Sequence, residues 1–275
     1  MVVELKICAL YKRCRRLDED CLYSREQKVL QVLLINELKT SEMEEDTTDF
    51  PCPSDVEVAL EVLFQDFPGV FEIPGFPPCA LQSQVQALVK DNSKVEPELR
   101  HLILFNAVRS FHVVVGGVVD SVIVREKDFR EYVEGLVDKQ NELETRAIHY
   151  FIDRILKVYR GKFLEEWNLE QHFGKEALEF LPYWVRVGVC VRRDNKSYWL
   201  SLPNVGRFLK HCLQGRKEIL LMLKRTRFHE IAVKTLEKRK LKRSSFPPKF
   251  HLRELIGGGQ VEQIESPAGT MIRLE

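Results

Sequence analysis

The sequence predicts an α+β fold, mainly helical, in which a group of helices followed by a β-hairpin occurs three times. Two observations predict it. Apolar residues recur at helical spacing along most of the chain, and three pairs of β-rich runs are each joined by turn residues. With 275 residues, 44% of them hydrophobic, the chain can bury two or three small cores.

The first group begins after an N-terminal segment, 1–53, which is predicted to be poorly ordered and ends in an acidic, Pro-containing linker. Helices are predicted over 55–64, 81–89, 96–105 and 127–137. Ser54 or Asp55 is the predicted N-cap of the first helix. Gly116-Gly117 joins two β-rich runs, because paired glycines adopt the positive φ angles that a two-residue hairpin turn needs. Helices followed by such a hairpin are the order of a winged-helix domain.

The same order is predicted twice more. The second group has a helix over 142–159, an extended piece at 163–164, helices over 169–173 and 175–183, and a hairpin that turns at Asp194-Asn195. A further helix starts near Gly206. The third group has helices over 215–224, 228–238 and 252–256 and a hairpin that turns at 267–269. We therefore predict three tandem winged-helix domains, at 54–139, 140–214 and 215–275.

Cysteine and hydropathy patterns argue against several protein classes. The seven cysteines are scattered without a C-x-x-C pair, which argues against a disulfide framework and a structural zinc and is typical of a reducing compartment. No apolar run approaches the ~18–20 residues that cross a bilayer. We expect a soluble, intracellular protein with no metal and no cofactor.

The charge is distributed unevenly along the chain. The formal net charge of the whole chain is +1. Residues 206–253, however, hold fifteen Lys or Arg against three Glu, a net +12, which leaves −11 for the rest. Such asymmetry indicates a surface that binds a polyanion.

No catalytic motif is found. The sequence lacks a phosphate-binding G-x-x-x-x-G-K-[ST] loop and the lysine, H-R-D and D-F-G elements of a protein kinase. Asp128-Phe129-Arg130 is a near-miss inside a predicted helix. The histidines are dispersed without metal-ligand spacing. We predict that the chain is not an enzyme and has no catalytic residue.

The predicted DNA contacts are the basic residues that recur through the positive segment and at the tip of the middle hairpin. Converging Lys and Arg bind duplex DNA by releasing counterions, without reading base sequence. The predicted contacts are Lys210, Lys224, Arg239, Arg207, Arg216, Arg225, Arg227, Arg192 and Arg193. Trp184 and Trp199 are predicted to be core residues rather than base-stacking platforms.

The run from Lys238 to Phe250, KRKLKRSSFPPKF, has three interpretations: a nuclear import signal, a linker, or part of a phosphate-binding surface. It lies inside a predicted domain and continues the basic residues that begin at Arg207. This favours a folded surface that faces DNA. The import signal stays open, because one basic run can serve both roles.

Short motifs, in order and at matching intervals, resemble one known family. They are SQVQALV at 83–89, GRFLK at 206–210, GR again at 215–216 and SPAGTMIRL at 266–274. The family bears the legacy name serine/threonine-protein kinase 19. The resemblance covers most of the chain from Val56 to Leu274, and the family's doubtful kinase name agrees with the missing kinase motifs.

The resemblance implies three winged-helix domains, a nuclear location and binding to double-stranded DNA. It also implies a scaffold role in transcription-coupled nucleotide excision repair, in contact with the stalled RNA polymerase II repair complex and the IIH helicase complex. Basic positions of the family's DNA surface correspond to Lys210, Lys224 and Arg239. A position that can be basic in the family, before the third helix of the first domain, is Asn92 here, which weakens the expected DNA contact of that domain.

Three hypotheses follow. The favoured one is a nuclear, non-enzymatic protein that binds duplex DNA mainly through phosphates. The alternative is a protein–protein module whose basic face meets an acidic nuclear partner, with the Phe/Pro-rich loop at 67–78 exposed for that purpose. An atypical serine/threonine kinase is the least favoured, and no membrane partner is expected.

Overall fold

A computed structural model describes residues 53–68, 73–137, 140–267 and 269–274. The predicted N-terminal segment lies outside the described residues, except for Pro53. The described elements form three groups, each with helices and a three-stranded antiparallel sheet. No helix in these ranges combines the length and the apolar character that crossing a membrane requires.

The first group starts with α1 (Asp55–Gln65), whose first turn is fixed by a capping box. Ser54 Oγ accepts a hydrogen bond from Glu57 N–H at 3.2 Å, and the Glu57 carboxylate accepts one from Ser54 N–H at 2.8 Å. The predicted N-cap is therefore confirmed. The other elements are β1 (Cys79–Leu81), α2 (Gln82–Leu88), α3 (Asn92–Leu104), β2 (Val108–Val115), β3 (Val118–Arg125) and α4 (Glu126–Leu136).

The second group starts with a helix that contains a π-helical turn. α5 (Glu142–Tyr150) continues through this turn (Phe151–Ile155) into α6 (Leu156–Val158), so the helix predicted over 142–159 is confirmed in extent. The other elements are β4 (Phe163–Glu165), α7 (Glu166–Phe173), α8 (Lys175–Val187), β5 (Cys190–Arg192) and β6 (Ser197–Leu200).

The third group starts with the 20-residue helix α9 (Val205–Lys224). The sequence predicted two helices here and a domain boundary at 214/215. Helix α9 is continuous across that boundary. Gly215 lies against the His251 ring, which a Cβ at this position would overlap; glycine is required for close packing and does not end the helix. The other elements are β7 (Glu230–Ala232), α10 (Val233–Glu237), α11 (Pro248–Gly257), β8 (Val261–Ser266) and β9 (Gly269–Leu274).

The three sheets share one strand order. The orders are β1-β3-β2, β4-β6-β5 and β7-β9-β8, all antiparallel, so the last strand of each group is central and the short first strand pairs with it. The three predicted hairpins are confirmed. β1 and β7 lie within stretches where helices were expected at least in part, because a three-residue strand is too short to show alternation.

Buried side chains connect the first two groups. Arg109 of β2, only 4% exposed, forms an ion pair with Glu126 of α4 and donates a hydrogen bond to the Tyr159 carbonyl at 2.7 Å. It also donates to the carbonyl of Leu156 in α6. One guanidinium therefore satisfies carbonyls at the end of the α5–α6 helix and fixes this helix against the hairpin.

Helix α11 packs closely against α2 of the first group. Gln84 Nε2 donates a hydrogen bond to the Phe250 carbonyl at 3.0 Å in a buried position. Gly257, at the end of α11, lies so close to α2 that a Cβ would overlap the Ser83 carbonyl. The third group is thereby joined to the first, although they are far apart in sequence.

We predict that Gly257→Ala destabilises the protein, because the new methyl group overlaps backbone atoms that cannot rotate away. Overpacking of this kind costs about 2 kcal/mol, which corresponds to a fall of about 4–8 °C in the melting temperature. Gly206→Ala is the matched control: its Cβ meets no atom within 4 Å. It should leave the melting temperature unchanged or raise it slightly, since alanine favours helix. Equal melting temperatures for both variants would contradict the packing argument.

Candidate nucleic-acid interface

Helix α9 carries positive charge on one face. Positions 207, 210, 217 and 224 fall on the same side of a helix with 3.6 residues per turn, and they span about 25 Å. The exposed residues there are Arg207, Lys210, Lys217 and Lys224. The opposite side buries Phe208, Cys212, Ile219 and Leu223. Lys217 was not among the predicted contacts, although its spacing of seven residues from Lys210 and from Lys224 indicates the same face.

The segment between α10 and α11 adds a second set of cations. We call residues 238–243 the basic loop. Its exposed side chains are Lys238, Arg239, Lys240, Lys242 and Arg243. Leu241 is 4% exposed and packs in the core of the third group. The loop is therefore held by its one apolar residue while its cations point outward.

Glu218 of α9 fixes the basic loop beside the helix. Its carboxylate accepts hydrogen bonds from the Lys242 backbone N–H at 3.0 and 3.1 Å and from the Arg243 backbone N–H at 3.0 Å. The negative charge of Glu218 is thus directed to backbone amides of the loop. We refer to the exposed cations of α9 and of the basic loop together as the basic surface.

The residues that follow the basic loop are also fixed in place. Ser244 Oγ lies 2.9 Å from His251 Nε2, and the Ser245 backbone N–H donates to His211 Nδ1 at 3.2 Å. Phe246 is 2% exposed, and its ring stacks on Phe250 with 4.5 Å between ring centres. The run from 238 to 250 is therefore a folded part of the domain, and its interpretation as a linker is wrong.

Arg216 is not on the basic surface, which corrects its prediction as a DNA contact. It is 7% exposed, and its guanidinium pairs with Glu254 of α11, which is 2% exposed. Arg216 directly precedes the exposed Lys217 in sequence but lies on the buried side of α9, a distinction that charge counting does not make. Two other cations of the segment, Lys249 and Arg253, pair with Asp66 at 3.1 and 2.8 Å. These hydrogen bonds lower the pKa of Asp66.

The remaining predicted contacts lie in two places. Arg225 and Arg227 are exposed just after α9, and Arg227 lies over the ring of exposed Phe228. Arg192 and Arg193, predicted together at the middle hairpin, stack on different rings. Arg192 faces Tyr198, whose hydrogen bond raises the arginine pKa. Arg193 lies 4.4 Å from the centre of the Phe163 ring and 4.7 Å from that of Trp199.

The two tryptophans that were predicted to be core residues differ. Trp184 is fully buried and donates its indole N–H to the Ala147 carbonyl at 2.8 Å, as predicted. Trp199 is half-buried and stacks on His112 of β2, with 5.5 Å between ring centres. It therefore joins the first hairpin to the second sheet.

The third helix of each group does not supply the positive charge. α11 is buried on several sides, through Phe250, Leu252 and Leu255 among others. On α8, the exposed Arg186 pairs with Glu144. On α3, Arg100 pairs with Glu96 at 2.6 Å, and Asn92 is exposed at its first residue. The net positive charge thus lies on a first helix and a loop.

The Phe/Pro-rich loop, suggested as an exposed partner site, is buried in part. Residues 69–72 lie outside the described residues. Ile73 and Phe76 are each 8% exposed, and the Phe76 ring packs against Phe208 of α9 and Tyr132 of α4. Pro77 is also buried, whereas Pro74 and Gly75, between Ile73 and Phe76, are exposed.

Titratable groups within the described ranges form no metal centre. No cluster of three or more His, Cys, Asp or Glu in these ranges could hold a metal ion. Burial raises the pKa of the thiols of Cys79, Cys190 and Cys212, so each stays protonated and unreactive at neutral pH.

We predict that Arg216→Ala lowers the free energy of unfolding, because it leaves the Glu254 carboxylate buried without its cation. Breaking a buried pair in this way costs about 3–5 kcal/mol. Lys217→Ala, one residue on but exposed, should change the unfolding free energy by less than about 0.5 kcal/mol. Denaturant titration followed by circular dichroism measures both; similar losses for the two variants would show that the ion pair has no special role.

Comparisons with known proteins find one family model and several curated relatives. A family model described as "Inactive serine-threonine protein kinase 19" matches residues 168–274. Among curated proteins, winged helix repair factor 1 of Homo sapiens is 30% identical over 227 residues, which is 81% of this chain and 86% of that protein. The Mus musculus protein of the same name is 30% identical over 78% of this chain and 84% of its own length. The Xenopus laevis protein is 27% identical over 86% of this chain and 89% of its own length.

The family description agrees with the absence of kinase motifs from the sequence, and the chain is not an enzyme. The resemblance inferred from the short motifs is likewise confirmed. With 30% identity to the human protein over most of both lengths, the chain belongs to the winged helix repair factor 1 family.

Proposed function

We propose that the chain is a non-enzymatic DNA-repair protein that binds duplex DNA through its phosphates, with little dependence on base sequence. The observation that carries this proposal is the basic surface. Four cations share one face of α9, and Glu218 fixes five more beside them on the basic loop. Closely spaced cations on a rigid support gain affinity for a line of phosphates by releasing counterions.

The three groups are proposed to be winged-helix domains, at 54–139, 140–204 and 205–275. A short first strand, two further helices and a closing hairpin follow the first helix in each group. The common strand order supports this assignment. The second boundary is placed before α9, because that helix is continuous from Val205 to Lys224.

Binding is proposed to be directed to phosphates rather than to bases. In many helix-based DNA readers one recognition helix enters the major groove and contacts base edges. Here the burial of α11 and the ion pairs on α3 and α8 argue against that mode. Lys and Arg on α9 and the basic loop can contact phosphates without entering a groove.

The repair role is proposed from the family. Its relatives are named repair factors, and the motif resemblance implies a nuclear scaffold in transcription-coupled nucleotide excision repair. The stalled RNA polymerase II repair complex and the IIH helicase complex are its proposed partners. The alternative, a module that only binds proteins, has less support, because Ile73 and Phe76 of the Phe/Pro-rich loop are buried.

We predict that the double variant Lys210→Glu/Arg239→Glu binds all duplex sequences more weakly. Loss of two phosphate contacts should lower the slope of log affinity against log salt by about 1.8. Fluorescence anisotropy with two duplexes of unrelated sequence, over a series of salt concentrations, measures both quantities.

The matched control for that experiment is Lys127→Glu/Lys175→Glu, which makes the same charge change at exposed lysines of α4 and α8. It should keep the wild-type salt slope. Equal weakening by both double variants would mean that only net charge matters, and no weakening by Lys210→Glu/Arg239→Glu would refute the proposed surface.

We predict that Glu218→Ala weakens DNA binding about three- to tenfold, although it removes a negative charge from a DNA-binding surface. The reason is that the basic loop loses the carboxylate that orders it. Amide hydrogen exchange at Lys242 and Arg243 should become faster in the same variant. Glu237→Ala removes an exposed carboxylate next to the loop and should tighten binding. If Glu218→Ala also tightens binding, charge outweighs loop order and the anchoring role is wrong.

A further inference from the structure

The hairpin of β2 and β3 ends in an exposed tip that carries no charged side chain. Val114 and Val119 lie directly opposite each other and are 58% and 65% exposed. Gly116 and Gly117, with φ of 61° and 87°, form the turn beyond them. Aliphatic side chains exposed to this degree on a paired strand leave apolar area in water, and such area marks a contact surface.

The tip lies beside the basic surface. A Cβ at Gly116 would come within 2.7 Å of Leu213 Cδ1 of α9. Lys210 and Lys217 are three residues before and four residues after Leu213, so both neighbour it on the surface of the helix. A duplex that is held by these two lysines therefore comes within reach of the hairpin tip.

The hairpin is also anchored at its middle. His112 lies two residues before Val114 on the same strand, and its ring stacks on Trp199 of the second sheet. Contacts at His112 and at Gly116 hold the ribbon on either side of the valine pair. The tip is therefore pre-organised, and it loses little conformational freedom when it binds.

We propose that Val114 and Val119 enter the minor groove of the bound duplex and pack against its deoxyribose walls. This inference rests on the proposed function and adds an uncharged contact to it. Proteins that bind and bend DNA from the minor groove also place apolar side chains there, frequently as wedges between base steps. The tip has no charged group to attract phosphate and no side-chain donor to read base edges, so the apolar sugar walls are its matching surface. This role differs from that predicted for Arg192 and Arg193 at the middle hairpin, where the contact would be ionic.

The proposal separates two contributions to affinity that respond differently to salt. Ionic contacts change the salt slope, whereas an apolar contact changes affinity equally at every salt concentration. Val114→Ser/Val119→Ser should weaken duplex binding about tenfold and leave the slope unchanged. Val114→Thr/Val119→Thr, which keeps the shape and strand preference of valine, should show part of this loss and guards against misfolding.

The matched control is Val58→Ser/Val158→Ser, at apolar residues that are 48% and 61% exposed on α1 and α6. It should bind like wild type. Netropsin, which occupies the minor groove, should weaken duplex binding by the wild-type protein more than duplex binding by the Val114→Ser/Val119→Ser variant.

The outcomes are distinct. If wild type binds duplex DNA and the serine variant binds equally well, the hairpin proposal is refuted and the tip is left to a protein partner. A lowered salt slope in the serine variant would also refute it, because the contact would then be ionic. If wild type shows no salt-dependent binding to duplex DNA, the proposed function itself fails, and the hairpin inference fails with it.

Discussion

The buried ion pair between Arg216 and Glu254 is the interaction on which the position of the basic surface depends. It joins α9 to α11, and α11 in turn packs on α2. A pair buried to this degree is stable only with both members present. The basic loop ends a few residues before α11 begins. Fixing α11 against α9 therefore also fixes the end of the loop that leads into α11. The charge that is buried thereby determines where the other charges are exposed.

Three carboxylates, of Glu218, Asp66 and Glu230, serve the protein's own structure. The Glu218 carboxylate accepts hydrogen bonds from backbone amides of the basic loop. Asp66 forms ion pairs with Lys249 and Arg253, and Glu230 forms one with Arg273. Each acid is therefore held in a structural contact instead of neutralising the outward cations of α9. A net charge of +12 in one segment is thus compatible with a folded domain, because some of its cations are paired within the described structure and the others are exposed to solvent.

Much of the fold could be predicted from the sequence, because its signals are local. Ser54 with Glu57 and the Gly116-Gly117 turn act within a few residues, and the structure confirms both. The misses depend on contacts between distant residues. In the sequence, Gly215 looks like the end of a helix, because its contact with His251 is not visible there. Arg216 likewise looks like its exposed neighbours, because its ion pair with Glu254 is not visible there. β1 and β7 exist because β3 and β9 pair with them, which a three-residue stretch cannot indicate.

The length of α9 has a consequence for access to the bound duplex. A face about 25 Å long corresponds to about seven base pairs at 3.4 Å each, less than one turn of the double helix. On the proposed function, the protein would cover one side of a short stretch, and the opposite side would stay accessible to other proteins. A footprint of this size suits a scaffold, since it holds DNA without enclosing it.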